Sequence, residues 1–170
     1  MSESDRPAVV FIGAPGSGKS RIGRRVAKHL DLPFIDTDTR IVEAHGPIPT
    51  IFAVHGEPHF RTLERAEVEK ALNSPGVVSL GGGAVLDPRS RAELAERRVI
   101  LLTVSADAVA SRIANDKRPL IRGDVETWRT LVADREPIYA SLADLTVDTS
   151  TRPVTLIAEE IAHWIQEHTS

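Results

Sequence analysis

The 170-residue chain contains no cysteine. That excludes a disulfide framework, a thiolate metal site and a cysteine nucleophile, and it fits a reducing compartment. Nor is there an excess of positive charge: Asp and Glu number 24 against 21 Lys and Arg, a formal net charge of −3. Neutralising nucleic-acid phosphate is therefore not its expected business, and small anionic ligands suit it better. No apolar run approaches the roughly 20 residues that span a bilayer, and the opening MSESDRP has no apolar signal core. These absences predict a cytoplasmic protein with no membrane or nucleic-acid partner. No internal repeat, low-complexity stretch or linker divides the sequence. Its length and 41% hydrophobic content suit a single domain over residues 1–170.

What is present starts with GAPGSGKS at residues 13–20, a full G-x-x-x-x-G-K-[ST] phosphate-binding loop. The spacing has a physical cause. Glycines let successive backbone N–H groups around Gly16, Ser17 and Gly18 turn inward on phosphates, Lys19 reaches the terminal phosphates, and the Ser20 hydroxyl ligates Mg²⁺. An apolar run at residues 8–12 precedes the loop, and Ile22, Val26, Ala27 and Leu30 follow at helical spacing, the strand–loop–helix context this motif requires. The guanine-reading N-K-x-D and the switch motif D-x-x-G are both missing, which argues against a regulatory GTPase.

Further apolar runs at residues 34–35, 77–80, 99–104 and 145–147 alternate with stretches of helical periodicity. Their continuous hydrophobicity predicts strands covered on both faces, hence an α/β fold around a parallel sheet. Phe60, Leu63, Glu64, Val68, Ala71 and Leu72 outline one helix. Asp87-Pro88 reads as an N-cap followed by Pro at the first helical position, and Ser105 as the cap of the next helix. Val154, Ile157, Ala158, Ile161, Trp164 and Ile165 mark an amphipathic helix that packs on the sheet, with Trp164 expected in the core. Residues 115–124, with Lys117, Arg118, Pro119, Arg122 and Gly123, form a candidate lid.

Asp36 and Asp38 close the second strand as Ile-Asp-Thr-Asp, at the sheet edge where ligands bind in open α/β folds. Either can cap the following helix; after a phosphate loop, one suits the metal and the other the acceptor. Gly81-Gly82-Gly83 at the end of the third strand is compatible with a tight turn or with close backbone approach to an anion. His55 and His59 have the spacing of a helical metal pair, but Gly56 and Pro58 interrupt the helix and no zinc site is expected. His163 and His168 read as surface positions.

In order along the chain, GAPGSGKS, DTD at 36–38, GE-x-x-FR at 56–61, GGG at 81–83, RPL at 118–120 and R-x-P-x-Y at 135–139 closely resemble the shikimate kinases. The likeness runs from the first strand to VDT at 147–149. It implies a three-layer α/β/α fold with a five-stranded parallel sheet in the order 2-3-1-4-5, a substrate-binding region near residues 37–73 and a lid near 115–124. The implied reaction is transfer of the ATP γ-phosphoryl group to the 3-hydroxyl of shikimate by a monomer using one Mg²⁺. By the same resemblance, Lys19, Asp38 and Arg118 are catalytic, and Ser20 and Asp36 hold the metal. The nucleotide falls to Gly16, Ser17, Gly18, Lys19, Ser20, Arg21, Arg112, Arg118 and Arg152, and shikimate to Asp38, Arg61, Gly82, Gly83 and Arg135. Pro47 and Pro49 depart from the family pattern, in a stretch where it carries a Ser and a helical start.

Overall fold

The structure, a computed structural model, describes residues 3–115 and 125–169. Its central strand shows why a continuous apolar run is needed. In β1, Pro7–Gly13, the side chains alternate, so Val9 and Phe11 enter one core and Val10 and Ile12 the other, all four fully buried. β2 (Phe34–Asp36), β3 (Gly76–Ser79), β4 (Val99–Thr103) and β5 (Leu145–Asp148) join it in a parallel sheet of order β2-β3-β1-β4-β5. Each crossover carries helix. α1 (Lys19–Leu30) and α8 (Val154–His168) cover one face with Ile22, Val26, Ile157, Ile161 and Ile165. α4 (Glu57–Leu72), α5 (Pro88–Leu94) and α7 (Val125–Leu142) cover the other with Val68, Leu72, Leu94 and Tyr139. The expected layers and strand order are both present.

α2 (Thr37–His45) and α3 (Ile48–His55) pack with α4 around Ile41, Ile51 and Phe60. Pro47 is the N-cap of α3 and Pro49 lies in its first turn, where a missing N–H costs nothing. The two prolines therefore start a helix. α6 (Ala106–Asn115) leads to the undescribed residues. Asp87 Oδ1 accepts from the Arg89 N–H at 2.8 Å and Ser105 Oγ from that of Ala108 at 3.1 Å, so both expected caps are made.

Two expectations need correction. β5 is not covered on both faces: Thr146 and Asp148 are exposed, because an edge strand with α8 on one side has no helix over the other. Trp164 is not in the core either. It is half-buried beside the α8 cluster, its ring stacked on His168 at 4.5 Å. Gly56, at φ 84°, breaks α3 from α4 between His55 and His59, and among the described residues no three or more His, Cys, Asp and Glu gather as metal ligands. Nor is any described helix long and apolar enough to cross a membrane.

Candidate active site

Because all five strands run parallel, their carboxyl ends share one edge, and the loops leaving β1, β2 and β3 meet there. From β1 comes the phosphate loop. Gly16 and Gly18 have φ of 84° and 91°, a left-handed region that side chains resist, and Gly18 is the N-cap of α1. Lys19 folds back so that its Nζ donates to the carbonyls of Gly13 at 2.8 Å and Ala14 at 2.9 Å. Burial pulls its pKa down to about 8, against the opposing pull of Asp38 and Asp36.

The two carboxylates, both expected to close the second strand, divide between elements: Asp36 ends β2 and Asp38 lies in α2, because Asp36 caps a helix that begins at Thr37. Asp36 caps α2, Oδ1 accepting from the Thr39 N–H at 3.2 Å, while Oδ2 accepts from the Ser20 hydroxyl. The capping alternative holds for Asp36, and its second oxygen is left to meet the phosphate loop at Ser20. Asp38, in the first turn of α2, has a buried Oδ1 with no hydrogen-bond partner. Burial, then the neighbouring Asp36, pushes its pKa up, and Lys19 and Arg61 draw it back.

From β3 comes the glycine triplet, at which each glycine makes room for a different side chain. A methyl group on Gly81 would lie 2.5 Å from Asp38 Oδ1, one on Gly82 3.1 Å from Pro15 and 3.4 Å from an Arg135 nitrogen, and one on Gly83 2.4 Å from an Arg61 nitrogen. The same residues also make a turn, with the Ala84 N–H on the Gly81 carbonyl at 3.1 Å. The turn is made, and the absence of side chains on the triplet is what lets Asp38, Arg135 and Arg61 crowd against it. The Thr37 hydroxyl, the middle residue of DTD, donates to the Ser79 carbonyl at 3.4 Å and accepts from the Gly81 N–H at 3.3 Å, tying α2 to the triplet.

Arg61 and Arg135 arrive from helices α4 and α7. Arg61 is bonded to Glu64 at 2.7 Å and to Glu57 at 3.3 Å. Arg135 is buried, and Tyr139, four residues on and therefore on the same helix face, donates to the Gly82 carbonyl at 2.6 Å. Glu64 and Tyr139 are site neighbours that sequence reasoning did not assign. Glu64 is buried beside three site residues: burial, and to a smaller degree Asp38, raise its pKa, while Arg61 and Arg135 lower it. Its signal was a carboxylate on the apolar face of α4, between Phe60 and Val68. A cavity of about 450 Å³ between α4 and α5 is lined in part by Arg61 and Glu64.

Arg112 lies against the phosphate loop, its guanidinium donating to the Gly16 and Thr149 carbonyls. Burial and the nearby Arg21 lower its pKa. Arg21 is exposed on the first turn of α1. Arg152 is exposed and ion-paired with Glu160 of α8. Arg118 and residues 116–124 of the expected lid lie outside the described residues.

The site thus joins a phosphate cradle to a balanced pocket, in which Lys19, Arg61 and Arg135 face Asp36, Asp38 and Glu64. Comparison with known proteins agrees with this geometry. The profile of the shikimate kinase family matches residues 15–166. A shikimate kinase from Thermobifida fusca is 45% identical over 163 residues, 94% of this chain and 95% of its own length. Among solved structures, the Acinetobacter baumannii shikimate kinase in complex with shikimate superposes with a TM-score of 0.86 at 29% identity, covering 98% of this chain and 96% of that one. A gluconokinase from Sinorhizobium meliloti, 22% identical at a TM-score of 0.67 over 97% of this chain and 94% of its own, shares the fold. The chain belongs to the shikimate kinase family, whose members are ATP-dependent kinases.

Proposed function

We propose that this chain moves the ATP γ-phosphoryl group to the 3-hydroxyl of shikimate as a cytoplasmic monomer of one domain, with residues 37–73 receiving the acceptor. The observation that carries the acceptor assignment is Asp38. Its Oδ1 is buried and accepts no hydrogen bond, yet it lies within electrostatic reach of Lys19 and Arg61. An unpartnered buried acceptor costs stability, and a substrate hydroxyl would relieve it.

Phosphoryl transfer passes through a loose transition state, so alignment and cationic stabilisation do most of the work. Lys19 holds the β/γ-phosphates, and the N–H groups of Gly16, Ser17, Gly18 and Ser20 cradle them. Asp38 orients the attacking hydroxyl and takes its proton on Oδ1 late in the transfer. Arg61 and Arg135, with the N–H groups of Gly82 and Gly83, hold the shikimate carboxylate. Planar guanidinium groups suit that bidentate task. Arg112 and Arg21 flank the nucleotide. Arg152 reaches it only by leaving Glu160, and Arg118 is assigned to the closing lid on its RPL pattern alone.

The Ser20 hydroxyl and the Asp36 carboxylate are hard oxygen donors in direct contact. They fit Mg²⁺, which takes one or two protein oxygens and fills its remaining positions with water and phosphate. When bound, it would neutralise charge on the β- and γ-phosphates.

The test is ATP consumption with shikimate, gluconate or nucleoside monophosphates as acceptor. Turnover with shikimate alone is expected. Turnover with gluconate and none with shikimate would overturn the assignment.

A further inference from the structure

Five consecutive carbonyls of the phosphate loop are each held by a side chain. Lys19 takes those of Gly13 and Ala14, Arg112 that of Gly16, and the Thr149 hydroxyl that of Ser17 at 2.8 Å. The remaining one, on Pro15, accepts from the indole N–H of Trp128 at 2.8 Å. A trans peptide is planar, so its C=O and the following N–H point in opposite directions. Whatever holds the Pro15 carbonyl therefore also aims the Gly16 N–H.

This peptide is the one most in need of a hold. Residues 14–17 form a β-turn, with the Ser17 N–H on the Ala14 carbonyl at 3.2 Å. Pro15 is its second residue and Gly16, at φ 84°, its third. Those features define a type II turn, and type I differs from it chiefly by a flip of the Pro15–Gly16 peptide. Gly16 tolerates both forms, because glycine adopts positive and negative φ about equally well. The indole N–H bonds to the Pro15 carbonyl in the type II form.

Trp128 is itself rigidly placed. It is 4% exposed and packs on Ala14 and Val109 in a small apolar cluster. Its helix, α7, also carries Arg135 and Tyr139 to Gly82, and Gly82 lies against the ring of Pro15. One helix thus sets both the tip of the phosphate loop and the glycine next to it on the acceptor side.

We propose that Trp128 is a positioning residue for the nucleotide: its indole N–H locks the Pro15–Gly16 turn in the type II form, so that the Gly16 N–H faces the phosphates. The inference rests on residues 13–20 being the nucleotide site. If that reading fails, the unmodified protein does not bind ATP; if this one fails, it binds ATP and the lock is dispensable.

Trp128→Phe keeps an aromatic ring among Ala14 and Val109 and removes the donor. KM for ATP should rise about tenfold, the size of one hydrogen bond lost to a carbonyl, with KM for shikimate within about twofold of its starting value. A general loosening of α7 would instead move both KM values together, since Arg135 and Tyr139 share the helix. An unchanged KM for ATP, or a parallel rise in both, would overturn the proposal. A measurement on the intact side chain covers the case in which the variant does not fold. In Trp164→Phe protein, Trp128 is the remaining tryptophan, and its indole N–H should exchange slowly with solvent and shift in the NMR spectrum on adding Mg²⁺–ADP. Exchange at the rate of free indole, or no shift with nucleotide bound, would equally overturn it.

Discussion

The two halves of the site are built in opposite ways. On the nucleotide side, side chains serve the backbone: Lys19, Arg112, Trp128 and Thr149 hold the loop's carbonyls and so aim its amides. On the acceptor side, backbone serves side chains: three glycines vacate the space into which Asp38, Arg135 and Arg61 converge. The first arrangement satisfies every carbonyl of residues 13–17 before any ligand arrives, and leaves only the neutral Ser17 hydroxyl buried without a partner. The second buries charge and leaves part of it unsatisfied, a cost that substrate relieves. Removing the Asp38 charge should therefore strengthen the fold, and removing the Thr149 hydroxyl should weaken it.

The largest effect tests the acceptor side. Asp38→Asn should lower kcat by on the order of 10²-fold or more, the usual worth of a positioned general base. The same variant should gain about 2–4 °C in Tm for each kcal/mol of burial cost removed. The sign follows from the raised pKa. A carboxyl whose native pKa lies above its ordinary 3.8 loses stability as pH rises from about 3.8 through the native pKa. The gain in Tm should thus be larger at pH 7 than at pH 4. A lower Tm at pH 7 would contradict the contrast between the two sides.

Arg61→Lys comes next. It keeps the charge and loses the planar fork, so kcat/KM for shikimate should fall about tenfold or more, with KM for ATP barely moved. Loss of ATP affinity with shikimate KM retained would put Arg61 on the nucleotide side.

Thr149→Val probes the other construction. It removes a hydroxyl that donates to Ser17 at 2.8 Å and lies 3.1 Å from the Thr103 carbonyl. Stability should fall by about 1–3 kcal/mol and KM for ATP should rise several-fold, in the same variant. Denaturant melts beside steady-state kinetics would show whether the two losses travel together. Asp87→Ala gives the smallest effect and serves as the control. It uncaps α5 without removing a group assigned to either half, so about 1 kcal/mol of stability should go with kinetics unchanged.

The same contrast explains what could be read in advance. The nucleotide side is local: eight consecutive residues specify a loop, and the strand before and helix after it confirm the reading. The acceptor side draws Asp38, Arg61, Gly83 and Arg135 from four elements, and no periodicity links them. They became legible only through an ordered set of short motifs resembling a known family. Glu64 escaped assignment because a helical apolar pattern absorbs one polar member without complaint, and of the site charges that act on it only Arg61 is on its own helix, while Asp38 and Arg135 come from α2 and α7. Trp128 escaped because an indole on an apolar face looks like packing, and its N–H finds Pro15 only once α7 crosses the loop.

By itself, the sequence determined the layered α/β architecture, the phosphate loop and the caps at Asp87 and Ser105. Each of these depends on residues within a few positions of one another, where backbone geometry and hydrophobic period act directly. Only the tertiary structure decided that Asp36 caps α2 and meets Ser20 at once. It also decided that Asp38 stays unpartnered, that β5 is half-exposed, and that one face of α7 holds both Pro15 and Gly82. Those outcomes depend on distances between elements far apart in the chain, which are set by how the helices pack on the sheet and not by any local preference.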